Sequence, residues 1–204
     1  FWPRSGEHSF ASPAAEEVVP FFEQWYPDAV PVMPDLETEY RENPVSPLGT
    51  VRCAPWQRGR FVLIGDAAHA IVPFYGQGAN ASFEDAVALA SEIEGGAGDV
   101  PAALERYYRA RVENANAIAD MALANFVEMR DHTASRGFRL RKKIERILHR
   151  VLGSRFVPLY EMVSFTLIPY ADARRRARRQ WRLAITGVLG IVFIVVAGAI
   201  IILT

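Results

Sequence analysis

The residues best placed to do chemistry lie in one contiguous stretch, Arg60 to Glu94, which reads RFVLIGDAAHAIVPFYGQGANASFEDAVALASEIE. It opens with a continuously apolar run, Phe61 to Ile64, expected as a buried strand ending at Gly65-Asp66. Asp66 at such a strand end can accept hydrogen bonds from a sugar-like hydroxyl, and Gly65 with Ala67-Ala68 leaves room for a ligand against the backbone. Downstream, Gly76-Gln77-Gly78 lets the main chain approach a flat ring closely. A helix expected from Ala79 to Glu94 points unpaired amide groups and its positive dipole end at the same place, so negative charge is favoured there. Taken singly, Asp66 or a Gly-x-Gly has a plain alternative as a helix cap or a turn. His69, flanked by alanines, reads as a packed, hydrogen-bonded structural residue rather than a catalyst.

Those residues need elements to hold them. Thr50 to Cys53 and Phe61 to Ile64 read as strands separated by a turn at Arg58-Gly59-Arg60, the second being the more buried. Gly95 to Gly98 ends the Ala79 helix, and a long helix opened by Pro101 follows from Val100 to about Asp131. Two further helical stretches are expected around Phe138 to Leu152 and Phe156 to Ile168. Before the strands, Ser12-Pro13 suits a helix start, with a kink or break at Pro20. Five prolines between residues 27 and 47 then predict only short pieces of structure.

A chain of 204 residues, half of them hydrophobic, can bury a real core. Its single cysteine, Cys53, excludes an internal disulfide framework and a multi-cysteine metal site. Formal net charge is zero, yet residues 139–182 carry thirteen Lys or Arg against three acids. Just beyond, Leu183 to Leu203 is twenty-one residues without a charge, long enough to cross about 30 Å of hydrocarbon as a helix. Arg174, Arg175, Arg176, Arg178, Arg179 and Arg182 stand immediately before it, which predicts a transmembrane anchor with the preceding domain facing the cytoplasm. The alternative for this stretch is a buried core helix. The arginines lack the interleaved aromatics of a nucleic-acid reader, and an anionic-lipid site is a secondary reading. No signal peptide is expected at Phe1-Trp2-Pro3, and the abrupt start suggests a fragment.

As one pattern, GDAAH followed by P-x-x-G-Q-G-x-N resembles the second flavin motif of the FAD-dependent aromatic hydroxylases. The resemblance implies an α/β (α+β) fold, mostly helical after the motif, with FAD and NADPH as cofactors. It implies that Gly65 and Asp66 contact the ribityl chain and that Gly76, Gly78, Ala79 and Asn80 meet the flavin ring. Pro73, Phe74 and Gln77 would line the space between flavin and substrate. No side chain is then required as nucleophile or metal ligand.

Two later segments sharpen the resemblance. Asn125-Phe126-Val127-Glu128-Met129-Arg130 puts an amide, a carboxylate and a thioether on one helix face, suited to an aromatic ligand bearing an amino acid. Phe156-Val157-Pro158-Leu159-Tyr160-Glu161-Met162 sets a tyrosine hydroxyl among apolar residues. Both are similar to segments of the kynurenine-hydroxylating members of the family, as are Gly6 to Phe10 and the C-terminal apolar stretch. By that likeness Asn125 and Tyr160 contact L-kynurenine, with Glu128 and Met129 in the same pocket or behind it, and dioxygen is the co-substrate. The plainer alternative is that Asn125 bridges helices and Tyr160 is core.

The expected organisation is therefore 1–100 as part of an FAD and substrate domain, with the flavin motif at 60–94. A helical pocket region would follow at 101–172, then a basic juxtamembrane segment at 173–182 and the anchor at 183–203. The resemblance implies the mitochondrial outer membrane in a eukaryote, whereas a bacterial source implies the inner membrane. No G-x-G-x-x-G fingerprint for the pyrophosphate occurs in these residues, so weak FAD binding by this chain alone is expected. Two other functions stay open: a membrane-anchored FAD monooxygenase acting on another ring or a polyene, and a tail-anchored scaffold without chemistry.

Overall fold

The computed structural model describes residues 15–43, 48–132 and 135–203, with the side chains of Ala15, His132, Leu189 and 191–203 outside the description. Gly6 to Phe10, the expected helix start at Ser12-Pro13, and Pro44 and Pro47 lie outside the described residues. The chain packs as two compact units, residues 1–48 and 49–204.

In the first unit a 3-10 turn, Ala15–Glu17, leads into α1 (Val18–Trp25), and α2 (Leu36–Glu42) packs beside it; Val18 and Leu36 are buried. Pro20 does not break α1, contrary to expectation. It is the third residue of the helix, where its missing N–H would have no partner inside the helix anyway.

The second unit is mostly helical, and its strands are shorter and barer than the sequence suggests. β1 (Gln57–Arg58) and β2 (Phe61–Val62) form one antiparallel pair with Gln57 opposite Val62. Thr50 to Cys53 is not a strand; it runs extended, with Val51 N–H donating to Ala70 O and Cys53 N–H to Ala68 O. Nor is the Phe61–Ile64 run buried, because no second layer covers it among the described residues: Phe61 is 83% exposed, and Leu63 and Ile64 are also open. Asp66 accordingly begins a short helix, α3 (Asp66–His69), rather than ending a buried strand.

α4 (Gly78–Gly95) and α5 (Val100–Val127) form the central pair. Glu92 bonds Arg106 while Glu84 and Asp85 bond Arg111, so the two helices run antiparallel. Asp99 caps α5 by accepting from Ala102 N–H at 3.1 Å, and Pro101 sits where no intrahelical donor is needed. α5 ends in one π turn, Glu128–His132. α6 (Arg136–Leu152) follows, capped by Ser135. α7 is only Leu159–Phe165, because Pro158 disfavours helix at the residue before it. α8 (Tyr170–Leu203) crosses α5 through small residues, with Ala171, Ala173 and Ala177 packed near Ala117, Ile118 and Met121. Among the described residues no helix is long and apolar enough to cross a membrane. The expected span, 183–203, falls mostly on residues whose side chains lie outside the description.

A buried carboxylate joins these pieces. Asp85 on α4 is fully buried and accepts from Gly65 N–H at 3.1 Å, from Arg111 Nε at 2.8 Å and from His69 Nε2. Burial alone would raise the Asp85 carboxyl, but the bonds and charges of His69 and Arg111 outweigh it and hold the group below its ordinary 3.8. An ionised carboxylate only accepts, so His69 carries its proton on Nε2. His69 is buried against the Trp56 ring, 5.1 Å between centroids, as a structural histidine should be. Burial, and then the Asp85 charge, push the neighbouring Tyr107 phenol up.

Removing the charge leaves Arg111 with Glu84 and the Ala81 carbonyl but without its fully buried counter-ion. Asp85→Asn is expected to cost about 3 kcal/mol in urea unfolding. Because the folded carboxyl is depressed, its contribution is complete above the ordinary value of 3.8 and is lost as pH falls below it. The wild-type acid transition should therefore be steeper than that of the variant.

Candidate functional site

The glycine-rich loop is built to stand close to a ligand. Gly65 has φ +58°, and a Cβ there would come within 2.8 Å of Ser82 Oγ, so α4 and the β2–α3 turn touch through a glycine. A 3-10 turn, Pro73–Tyr75, ends at Gly76 with φ +66°, a left-handed conformation that suits glycine, and open space lies where its Cβ would be. A Cβ at Gly78 would meet only Ile71, at 3.7 Å. Open space thus lies at Gly76, beside the positive end of an 18-residue helix. Asp66 is exposed beside it.

Three clamps hold this loop. Asn125 Nδ2 on α5 donates to Phe74 O at 2.6 Å, and the Phe74 ring packs on Phe126 with centroids 4.6 Å apart. Tyr75 meets Tyr160 of α7 at 5.8 Å between centroids. Buried Gln77 accepts through Oε1 from Asn80 Nδ2 at 2.9 Å and from the Tyr170 hydroxyl at 3.3 Å. Burial, then Glu84, push the Tyr170 phenol up to about 12, so it stays a donor at neutral pH. Tyr75 is likewise pushed up to about 12, by burial and then by Glu128.

Beyond the clamps lies a cavity of about 560 Å³. Tyr75, Tyr160 and Trp181 give it aromatic walls, and Asn125 and Glu128 enter from α5 and its π turn. Arg141, Lys142, Arg174, Arg178 and Arg182 oppose three carboxylates, Asp120, Glu128 and Glu145. Arg174 bonds Asp120 at 2.6 Å, Arg52 bonds the other oxygen of that carboxylate, and Lys142 reaches Glu145 at 3.2 Å. The Asp120 carboxyl feels desolvation upward, but the two arginines prevail and lower it. Such a cavity suits a planar ring carrying both an anionic and a cationic group.

The sequence-predicted residues are divided between places. Asn125, Glu128 and Tyr160 share the aromatic cavity. Gln77 and Asn80 line a second one, of about 870 Å³, with Phe83, Arg111 and Tyr170. Pro73 is exposed, Phe74 is engaged with Phe126, and Met129 stands beside Asn125 with its sulfur 3.8 Å from Nδ2. Sequence reasoning missed Asp85, Arg111, Tyr170 and Trp181. The first two had one available signal, a charged pair on otherwise apolar faces of neighbouring helices.

Comparison with known proteins bears on the family of the sequence. Residues 27–122 match the FAD binding domain family. The chain therefore carries flavin-domain sequence, set on the helical scaffold described above. Over most of its length it is similar in sequence to proteins named kynurenine 3-monooxygenase. It is 47% identical to that protein of Cytophaga hutchinsonii over 175 residues, covering 85% of this chain and 39% of the relative. Against the Salinispora arenicola protein it is 48% identical over 187 residues, 90% of this chain and 40% of the relative. The Dictyostelium discoideum protein is 43% identical over 189 residues, 86% and 41% of the two chains. The chain thus spans about two fifths of the length of these curated relatives.

The loop residues fit a flavin. Gly76 and Gly78 leave the backbone bare, the α4 amides supply donors, and Asp66 is an exposed acceptor. If Asn125 acts by donation, replacing it with Ala or with Asp, which cannot donate when ionised, should free the loop by about 1 kcal/mol. Amide exchange across residues 74–80 would then quicken roughly fivefold in both variants. A change in the alanine variant alone would mean that packing, not the hydrogen bond, holds the loop.

Proposed function

We propose that this chain is part of an FAD-dependent monooxygenase that hydroxylates L-kynurenine to 3-hydroxykynurenine with NADPH and dioxygen. The observation that carries the reading is the Asn125–Phe74 hydrogen bond, through which one residue both lines the aromatic cavity and fixes the glycine-rich loop. FAD, when bound, supplies the redox chemistry. Asp66 and the amides from Gly78 to Asn80 would hold it, with Gly76 giving room, Gly65 letting α4 close against the β2–α3 turn, and Pro73, Phe74 and Gln77 shielding its substrate side.

The chain's own residues then position and exclude water. Tyr75, Tyr160 and Trp181 sandwich the substrate ring, the arginine wall takes its carboxylate, and Glu128 faces its ammonium. Met129 supports Asn125 from behind. Glu128 opens the π turn that ends α5, an irregularity common where a helix serves a site.

The reading extends to a membrane. The uncharged residues 183–203 continue the α8 helix directly from the arginine-rich segment, which supports a single C-terminal anchor with the domain on the cytoplasmic side. In a eukaryote the target would be the mitochondrial outer membrane, and in a bacterium the inner membrane.

The full-length protein in detergent with FAD should consume NADPH faster when L-kynurenine is added and should yield 3-hydroxykynurenine by mass. Glu128→Gln should raise KM for kynurenine about tenfold with kcat little changed, as expected for a charged contact made equally in ground and transition states. Oxidation without product would point to another ring as substrate, and absence of both bound flavin and oxidation would leave a scaffold.

A further inference from the structure

Helix α6 turns a second apolar stripe away from the rest of the unit. Its inward side is mixed, with half-buried Phe138 and Leu148 among polar groups: Arg141 stacks over Trp181 at 5.6 Å, Lys142 and Glu145 line the aromatic cavity, and His149 Nδ1 donates to Phe156 O at 2.7 Å. The opposite side carries Leu140, Ile144, Ile147 and Val151, spaced by four, three and four residues so that they form one stripe. That stripe faces outward, at 58%, 40%, 51% and 73% exposure. A helix of a water-soluble surface does the opposite.

Charge identifies what the stripe meets. At 100° per residue, Arg136, Arg139, Lys143, Arg146 and Arg150 fall along one flank of it, and all five are exposed. The one acid of the helix, Glu145, lies on the inward side, bonded to Lys142. An outward apolar stripe edged by cations fits the boundary of an anionic bilayer, where the apolar side chains enter the acyl region and the guanidinium and ammonium groups meet phosphate. Position agrees with this. Arg141 and Lys142 share the cavity with Trp181 and Arg182, the last residues before the uncharged stretch, so the stripe starts beside the proposed point of membrane insertion.

We propose that α6 lies flat on an anionic lipid surface, with Leu140, Ile144, Ile147 and Val151 inserted, as a second membrane contact alongside the anchor. The proposal rests on the anchor reading for its orientation. It makes the membrane a partner of the helix that also supplies Arg141, Lys142 and Glu145 to the cavity.

The test uses the full-length protein in a background with every cysteine replaced, Cys53→Ala included, and with an environment-sensitive fluorophore on Val151→Cys or, as a control, on Arg109→Cys of α5. The protein is reconstituted into phosphatidylcholine vesicles with and without phosphatidylglycerol, and flotation is scored first. The expected result is flotation, with the label at 151 shifted to the blue and quenched by brominated lipid, more so with phosphatidylglycerol, while the label at 109 is neither. Lys143→Gln with Arg146→Gln should remove the phosphatidylglycerol dependence and leave flotation intact. Flotation with an unquenched, water-exposed label at 151 overturns this inference alone. So does a label at 151 already blue-shifted without lipid, which would show that another part of the protein covers the stripe. Failure to float overturns both this inference and the anchor.

Discussion

Asp85 is the constraint on which the rest of the second unit depends. A bare carboxylate in a dry interior is costly, so its site must supply donors from every direction, and here they come from different segments. Gly65 N–H fixes the turn after β2, His69 fixes α3, and Arg111 fixes α5 against α4. Arg111 then reaches outward to Glu84 at 2.7 Å and to Ala81 O at 3.3 Å, binding the first turns of α4 to the middle of α5. The glycine-rich loop hangs between α3 and α4, two elements this single group aligns.

Much of the fold could be read in advance because it is governed by local rules. Gly78 to Gly95 and Val100 to Val127 announce themselves by apolar spacing, by the glycine run between them and by Asp99-x-Pro101. What could not be read depends on distance or on missing neighbours. Phe61 to Ile64 looks like a buried strand because apolar runs usually are covered, yet it is open in this chain. Pro20 looks like a break only until its place in the first turn is known. The site was legible as a motif, Gly65-Asp66 and Gly76-Gln77-Gly78, but not as a mechanism of support. Nothing local in Asn125 says that its amide will seek the carbonyl of Phe74, 51 residues away. The outward stripe of α6 was equally hidden, since periodicity shows that a helix has distinct faces and not which one turns inward.

Two readings of Asn125 offered by the sequence, ligand contact and helix bridge, need not compete. Its amide is spent on the loop carbonyl while its flank lines the cavity, so loop position and cavity shape are mechanically one variable. The same holds for Tyr75, whose ring meets Tyr160 and whose backbone belongs to the turn. A change of cavity shape can therefore be transmitted to the glycine-rich backbone without a dedicated moving part.

The Tyr170–Gln77 hydrogen bond joins residues 93 apart in the chain. Helices α4 and α5, by contrast, are neighbours linked by a tight turn, and contacts so local form quickly. During synthesis the α4–α5 hairpin and its Asp85 hub can assemble while everything after α5 is still unmade. The third clamp on the loop must wait until the start of α8 has emerged. The cavity is thus completed by the same length of chain that brings the arginine-rich segment and then the apolar stretch, so that closure of the cavity and emergence of the longest uncharged segment become consecutive events of one translation.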